Sequence, residues 1–138
     1  MTFPLRRVLL QAGGVWLAIA VFAIANGTLR QAVLVPWLGD GVAPVLSVLI
    51  LGAIIAAIEW RMAHRTWSRL GWKALLGIGA GWALGTVLFE FGLGRLVLGM
   101  GWDELLAQYD VLHGNLWALI PLLMIVGMPL MRTWRHSP

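Results

Sequence analysis

Apolar residues fall in four long runs along this chain, separated by polar, basic or glycine-rich segments. The first run extends from Val8 to about Ala25, carries no charge, and has Gln11 as a polar position near its start. The second extends from about Ala43 to Ile58 and continues through Glu59 and Trp60. The third extends from Ala74 to about Phe91 and is interrupted by a single charge, Glu90; the fourth extends from about Leu116 to Met131. A helix of about 20 mostly apolar residues crosses the hydrocarbon core of a bilayer. The pattern therefore predicts an all-α chain: an integral membrane four-helix bundle forming a single transmembrane domain over 1–138, with helices at about 8–25, 43–60, 74–91 and 116–131. Arg6 and Arg7 precede the first run, as in a signal peptide. That run exceeds the ~7–15 apolar residues of a signal sequence and three more follow, so it is read as a retained helix.

Between the third and fourth runs the period changes. Trp102, Leu105, Leu106 and Tyr109 recur at i, i+3, i+4 and i+7, the apolar stripe of a short amphipathic helix. Asp103 and Glu104 open it, where the helix dipole favours negative charge. Such a helix is expected to lie flat on the outer surface.

Composition agrees with a lipid solvent. The chain is 60% hydrophobic and 12% charged, with a mean hydropathy of +0.85, against about 45–50% apolar and about 25% charged for soluble domains. The formal net charge is +4. The basic residues flank apolar runs and form no single polar face, so no nucleic-acid partner is expected. Their placement orients the helices. Arg6, Arg7, Arg61, Arg65, Arg69, Lys73, Arg132 and Arg135 fall on one side, and Arg30 and Arg95 on the other. The positive-inside rule then puts both termini in the cytoplasm. The basic 61–73 connection is expected to join the second and third helices as an antiparallel hairpin and to meet anionic lipid. Trp60, Trp67, Trp72 and Trp134 near the inner boundary, and Trp37, Trp102 and Trp117 near the outer one, read as headgroup anchors.

Helices in lipid associate through close backbone approach and buried polar contacts. Gly77, Gly81 and Gly85 repeat every four residues and predict a packing groove for a neighbouring helix or a second copy. Gly14 with Ala18, Gly52 with Ala56, and Ala53 with Ala57 offer the same spacing. Gly79, Ala83, Thr86 and Glu90 form a second face, roughly opposite the first. Two such faces predict that the third helix is central to the bundle.

Chemistry-bearing residues are few. There is no cysteine, and His64, His113 and His136 lack ligand spacing, so no metal site and no cofactor is expected. No Walker A, GxGxxG or HExxH motif occurs. Glu90, flanked by Phe89 and Phe91, needs a partner or a proton at membrane depth. Arg30 is the expected partner across the helices and Arg95 the second choice, with Asn26 one turn before Arg30 completing a buried polar cluster. Asp110, His113 and Asn115 form a secondary outer cluster with no nucleophile beside it. Pro121 and Pro129 predict bends in the fourth helix.

The segment Phe89-Glu90-Phe91-Gly92, with Gly94, Val97, Gly99, Trp102, Leu105-Leu106, Tyr109, Gly114 and Trp117, resembles an uncharacterised family of small bacterial four-helix inner-membrane proteins. Asn26-Gly27 followed by Arg30 fits the same resemblance, which covers roughly the outer half of the chain. It implies a bacterial inner-membrane location and no activity. The family carries histidine-tyrosine where this chain has Arg95-Leu96, so the resemblance gives position 95 no role. The reading that follows is a non-enzymatic packing module, as a homo-oligomer or an accessory subunit of a membrane complex. The alternatives are an oligomeric small-solute transporter or channel using Glu90 and Arg30 near its outer mouth, and a membrane enzyme acting on lipid through Asp110 and His113.

Overall fold

A computed structural model describes residues 4–107, 109–110 and 116–134. They are almost wholly helical. Helix α1 (Leu5–Leu29) passes through a π-helical turn (Arg30–Leu34) into α2 (Val35–Arg61), which ends in a second π-helical turn (Met62–Thr66). Helix α3 (Trp72–Gly92) ends in a third (Leu93–Val97), and the short α4 (Trp102–Ala107) follows. A 3-10 turn (Leu116–Ala118) leads into α5 (Leu119–Trp134).

Three helical stretches are long and apolar enough to cross a membrane: Leu5–Thr66, Trp72–Val97 and Leu116–Thr133. The first holds 62 residues. Drawn straight it would extend about 90 Å, some three times the ~30 Å hydrocarbon core. It is instead bent back on itself at Gly39, whose φ of 83° and ψ of 169° lie in a region essentially closed to other residues. Two hydrogen bonds record the reversal. Asn26 Nδ2 donates to Ser47 Oγ at 2.8 Å, and Trp67 Nε1 donates to Gln11 Oε1 at 3.2 Å. Both pairs straddle Gly39 nearly symmetrically, so α1 and α2 are antiparallel legs. The four apolar runs thus become four packed legs within three continuous helical stretches.

The packing centre is α5, in place of the α3 expected from its two small faces. Both α2 and α3 lean on α5 and scarcely touch one another, so the basic connection does not close a paired α2–α3 hairpin. The reason lies at Gly79. A methyl group there would collide with the carbonyl of Met124, so its absence lets the α3 and α5 backbones meet. Ala83 continues this buried face. Of the predicted groove of Gly77, Gly81 and Gly85, only the Gly85 end meets another helix among the described residues, α1. Open space surrounds Gly77 and Gly81, and Gly85 meets only the ring of Trp16, at 3.4 Å. Around α5 the core gathers Leu51, Ile55, Leu75, Trp82, Ile120 and Met128.

Two residues near the α2–α3 connection differ from their expected roles. Trp67 is buried against Trp82, with ring centroids 5.8 Å apart, and is no headgroup anchor. Trp60, Trp72, Trp37 and Trp102 do stay exposed, as anchors require. Arg132, expected to orient the chain by charge, ties the end of α5 to the α2–α3 connection. Its guanidinium donates to the carbonyls of Ala63 at 2.6 Å, Leu70 at 2.7 Å and Trp67 at 2.8 Å. These carbonyls belong to the chain where α2 gives way to the α2–α3 connection, where intrahelical donors run out.

Candidate functional site

Helix α1 reaches α3 through few side chains. Trp82 Nε1 donates to the Ala12 carbonyl at 2.9 Å, Trp16 Nε1 donates to Thr86 Oγ1 at 3.2 Å, and the Trp16 ring meets Phe89 edge-on at 6.2 Å. Beyond Phe89 the legs diverge, and an open cleft of about 830 Å³ lies between α1, α2, α3 and α4. Its walls are apolar, with Val45, Val48, Leu93, Leu98 and Leu105 among them. Its polar groups are Asn26, Thr28, Arg30, Gln31, Glu90 and Trp117, and the Thr28 hydroxyl donates back to the Ile24 carbonyl at 3.1 Å.

Asn26, Trp117, Arg30 and Glu90 differ in how they are satisfied. Asn26 is buried, and its amide nitrogen donates to both the Ser47 carbonyl, at 3.0 Å, and Ser47 Oγ. The backbone carbonyl can only accept, so it fixes the amide orientation. Oδ1 is then left buried without a donor among the described residues. Trp117 Nε1 is likewise buried without an acceptor. Arg30 and Glu90 face the same space, and Arg30 is the cation that acts on Glu90. They stop short of a direct ion pair, in contrast to the closed pair expected. Arg95 is not the alternative partner: its guanidinium donates to the Met100 carbonyl at 3.2 Å and lies over the Trp102 ring, 4.9 Å from the centroid. Of the predicted cluster, the structure brings together Asn26, Arg30 and Glu90 and removes Arg95.

Tyr109 borders this region, stacked on Phe91 with centroids 5.8 Å apart. Its hydroxyl and the Trp117 indole N–H approach each other without reaching hydrogen-bond geometry. Burial pushes the Tyr109 phenol up from its ordinary value; the Trp117 N–H opposes this and the charge of Glu90 adds to it. Asp110 lies just beyond, half-buried. His113 and Asn115 lie outside the described residues, so the secondary cluster has no geometry here. Among the described residues no group of acidic or histidine side chains is arranged to hold a metal.

Sequence reasoning missed one ionisable residue. Glu59, in the last turn of α2, is fully buried, and neither carboxyl oxygen has a hydrogen-bond partner among the described residues. It lies against Gly127 of α5, where a methyl group would strike the carboxylate. At the end of an apolar run, beside Trp60 and Arg61, it reads as a boundary residue. The signal that would have found it is the i, i+4, i+8 series Leu51, Ile55 and Glu59, which continues the buried face of α2.

No family model, no curated protein and no solved structure matches this chain.

Proposed function

We propose that this chain is a four-crossing membrane protein of the bacterial inner membrane, with both termini cytoplasmic. It acts as a non-enzymatic module that holds a zwitterionic lipid in its outer cleft. The observation that carries this reading is the cleft's combination of apolar walls with an unclosed Arg30–Glu90 pair and the buried, unpartnered Asn26 Oδ1. Ligand sites typically occupy about 300–1,000 Å³, with apolar walls and a few polar groups that fix orientation. A phosphate suits the Arg30 guanidinium, an ammonium suits Glu90, and acyl chains suit the walls. Buried polar atoms left without partners are costly, which favours a ligand that satisfies them. Orientation rests on the lysine and arginine distribution, and the basic 61–73 connection remains a contact for anionic lipid. Assembly as a homo-oligomer or with other membrane subunits is compatible with the open Gly77–Gly81 face.

Native mass spectrometry of the purified protein, followed by exchange into nanodiscs of phosphatidylethanolamine or phosphatidylglycerol, tests the reading. One zwitterionic lipid per chain is expected to persist through detergent washing. Val45→Phe, which narrows the cleft at its apolar wall, should weaken its retention while leaving the far-UV circular dichroism spectrum unchanged. Undiminished retention of lipid by this variant, or equal retention of both headgroups, would sink the proposal.

A further inference from the structure

The cleft does not end at Glu90. This residue also lines a second, narrow cavity of about 20 Å³ deeper in the bundle. A site of roughly 10–15 Å³ suffices for one water, provided polar groups anchor it. Here those groups are Glu90 at the outer end and the Thr86 hydroxyl, one turn below it on α3. Thr86 donates only to the sulfur of Met124, at 3.4 Å. Sulfur is a weak acceptor that water readily displaces. The inner wall of the cavity is made by Leu51, Ile55 and Met124. Ile55 is followed one turn later on the same face by Glu59, about 6 Å further along the helix axis.

The two carboxyls buried most deeply along this axis are thus separated by a water-sized cavity and one apolar turn. An ionisable side chain inside a membrane protein is costly and marks a path for protons or ions unless a partner accounts for it. Among the described residues no hydrogen-bond partner accounts for Glu59. On α5 it faces Gly127, and the cation of that helix, Arg132, is committed to three carbonyls. On its own element Arg61 is exposed, and His64 lies against the Trp60 ring. At the other end Glu90 faces Arg30, in the π-helical turn after α1, and the Tyr109 side chain.

We propose that Glu90 and Glu59 are the two stations of a gated proton path through the bundle, bridged by a water beside Thr86 and interrupted at Ile55 and Met124. A proton passes from water in the outer cleft to the Glu90 carboxylate. It then moves through the cavity water to the Glu59 carboxylate and leaves to water at the cytoplasmic surface. One proton enters for each that leaves, and no bond other than O–H is made or broken. The apolar turn keeps the path closed until Ile55 moves. The path shares the membrane-spanning reading of the chain and does not depend on lipid in the cleft.

The test is proton flux into liposomes that carry the purified protein and a pH-sensitive dye, driven by a potassium diffusion potential. The native chain should acidify or alkalinise the lumen according to the sign of the potential. Glu59→Gln and Glu90→Gln should reduce the rate to that of protein-free vesicles, Thr86→Val should slow it, and Ile55→Ala should raise it. Recovery in the membrane fraction after alkaline washing establishes insertion separately, so failed insertion is distinguished from absent conduction. If Glu59→Gln does not fold, Thr86→Val and Ile55→Ala decide the matter. An inserted native protein with vesicle-background flux, or variants that leave the flux unchanged, would overturn the path.

Discussion

Glycine positions on α3 and α5 respond to an added methyl group according to what stands opposite. At Gly79 the obstacle is the Met124 backbone carbonyl, which cannot move without shifting α5. Gly79→Ala is expected to cost at least the ~1–3 kcal/mol typical of overpacking, read as a lower midpoint of thermal unfolding in detergent. Gly77→Ala and Gly81→Ala meet open space, and should stabilise the monomer by up to ~1 kcal/mol each through helix propensity. If they instead weaken the purified protein, that face is occupied by another chain. The contrast shows what a linear pattern conveys. The stripe of Gly79, Ala83, Thr86 and Glu90 and the groove of Gly77, Gly81 and Gly85 carry the same small-residue signal. Periodicity marks both faces but does not say which one a neighbour of the same chain will cover. Glu59 is hidden for a related reason: the Leu51, Ile55 and Glu59 series puts it on one face of α2, but what covers that face at Glu59 is Gly127, 68 positions away.

Between elements, the features that matter are terminations. The α1–α2 reversal depends on Gly39 at a φ of 83°. Any side chain there is strained, so Gly39→Ala should cost about 1–3 kcal/mol and loosen the Asn26–Ser47 contact. Because the chain has no native cysteine, cross-linking of cysteines introduced at 26 and 47 gives a direct measure of that loosening. At the opposite end of these legs, Arg132 gathers carbonyls from three positions of the α2–α3 connection. A lysine is a point charge that lacks the guanidinium's planar fork. Arg132→Lys should therefore lose at least the ~1.5–3 kcal/mol of one charge-assisted hydrogen bond, and hydrogen exchange should quicken over 62–71. The run of basic residues reads as an expected boundary, since charge counts require no knowledge of contacts. That one of these cations doubles as a cap was not, because the carbonyls it meets become available only when the helix ends.

At the scale of the molecule, the sequence and the structure describe the same four legs in different ways. Apolar runs separate the legs cleanly, yet the first two form one continuous helical stretch whose only break is a single glycine conformation. Reading continuity as one crossing would give three spans and place the termini on opposite faces. Reading the Gly39 reversal as an outer turn gives four and keeps both ends together. The charges separate these readings. With three spans the basic 61–73 connection and the N-terminal arginines would lie on opposite sides, dividing the positive charge against the usual bias. With four spans eight of the ten basic residues share the cytoplasmic face. Single cysteines introduced at positions 38 and 68, probed in intact cells with a membrane-impermeant maleimide, decide between them. The four-crossing arrangement requires labelling at 38 and none at 68 until the cells are opened. Labelling at 68 from outside, or protection at 38, would reverse the orientation. It would also remove the outer water that the proposed lipid cleft and proton path both require.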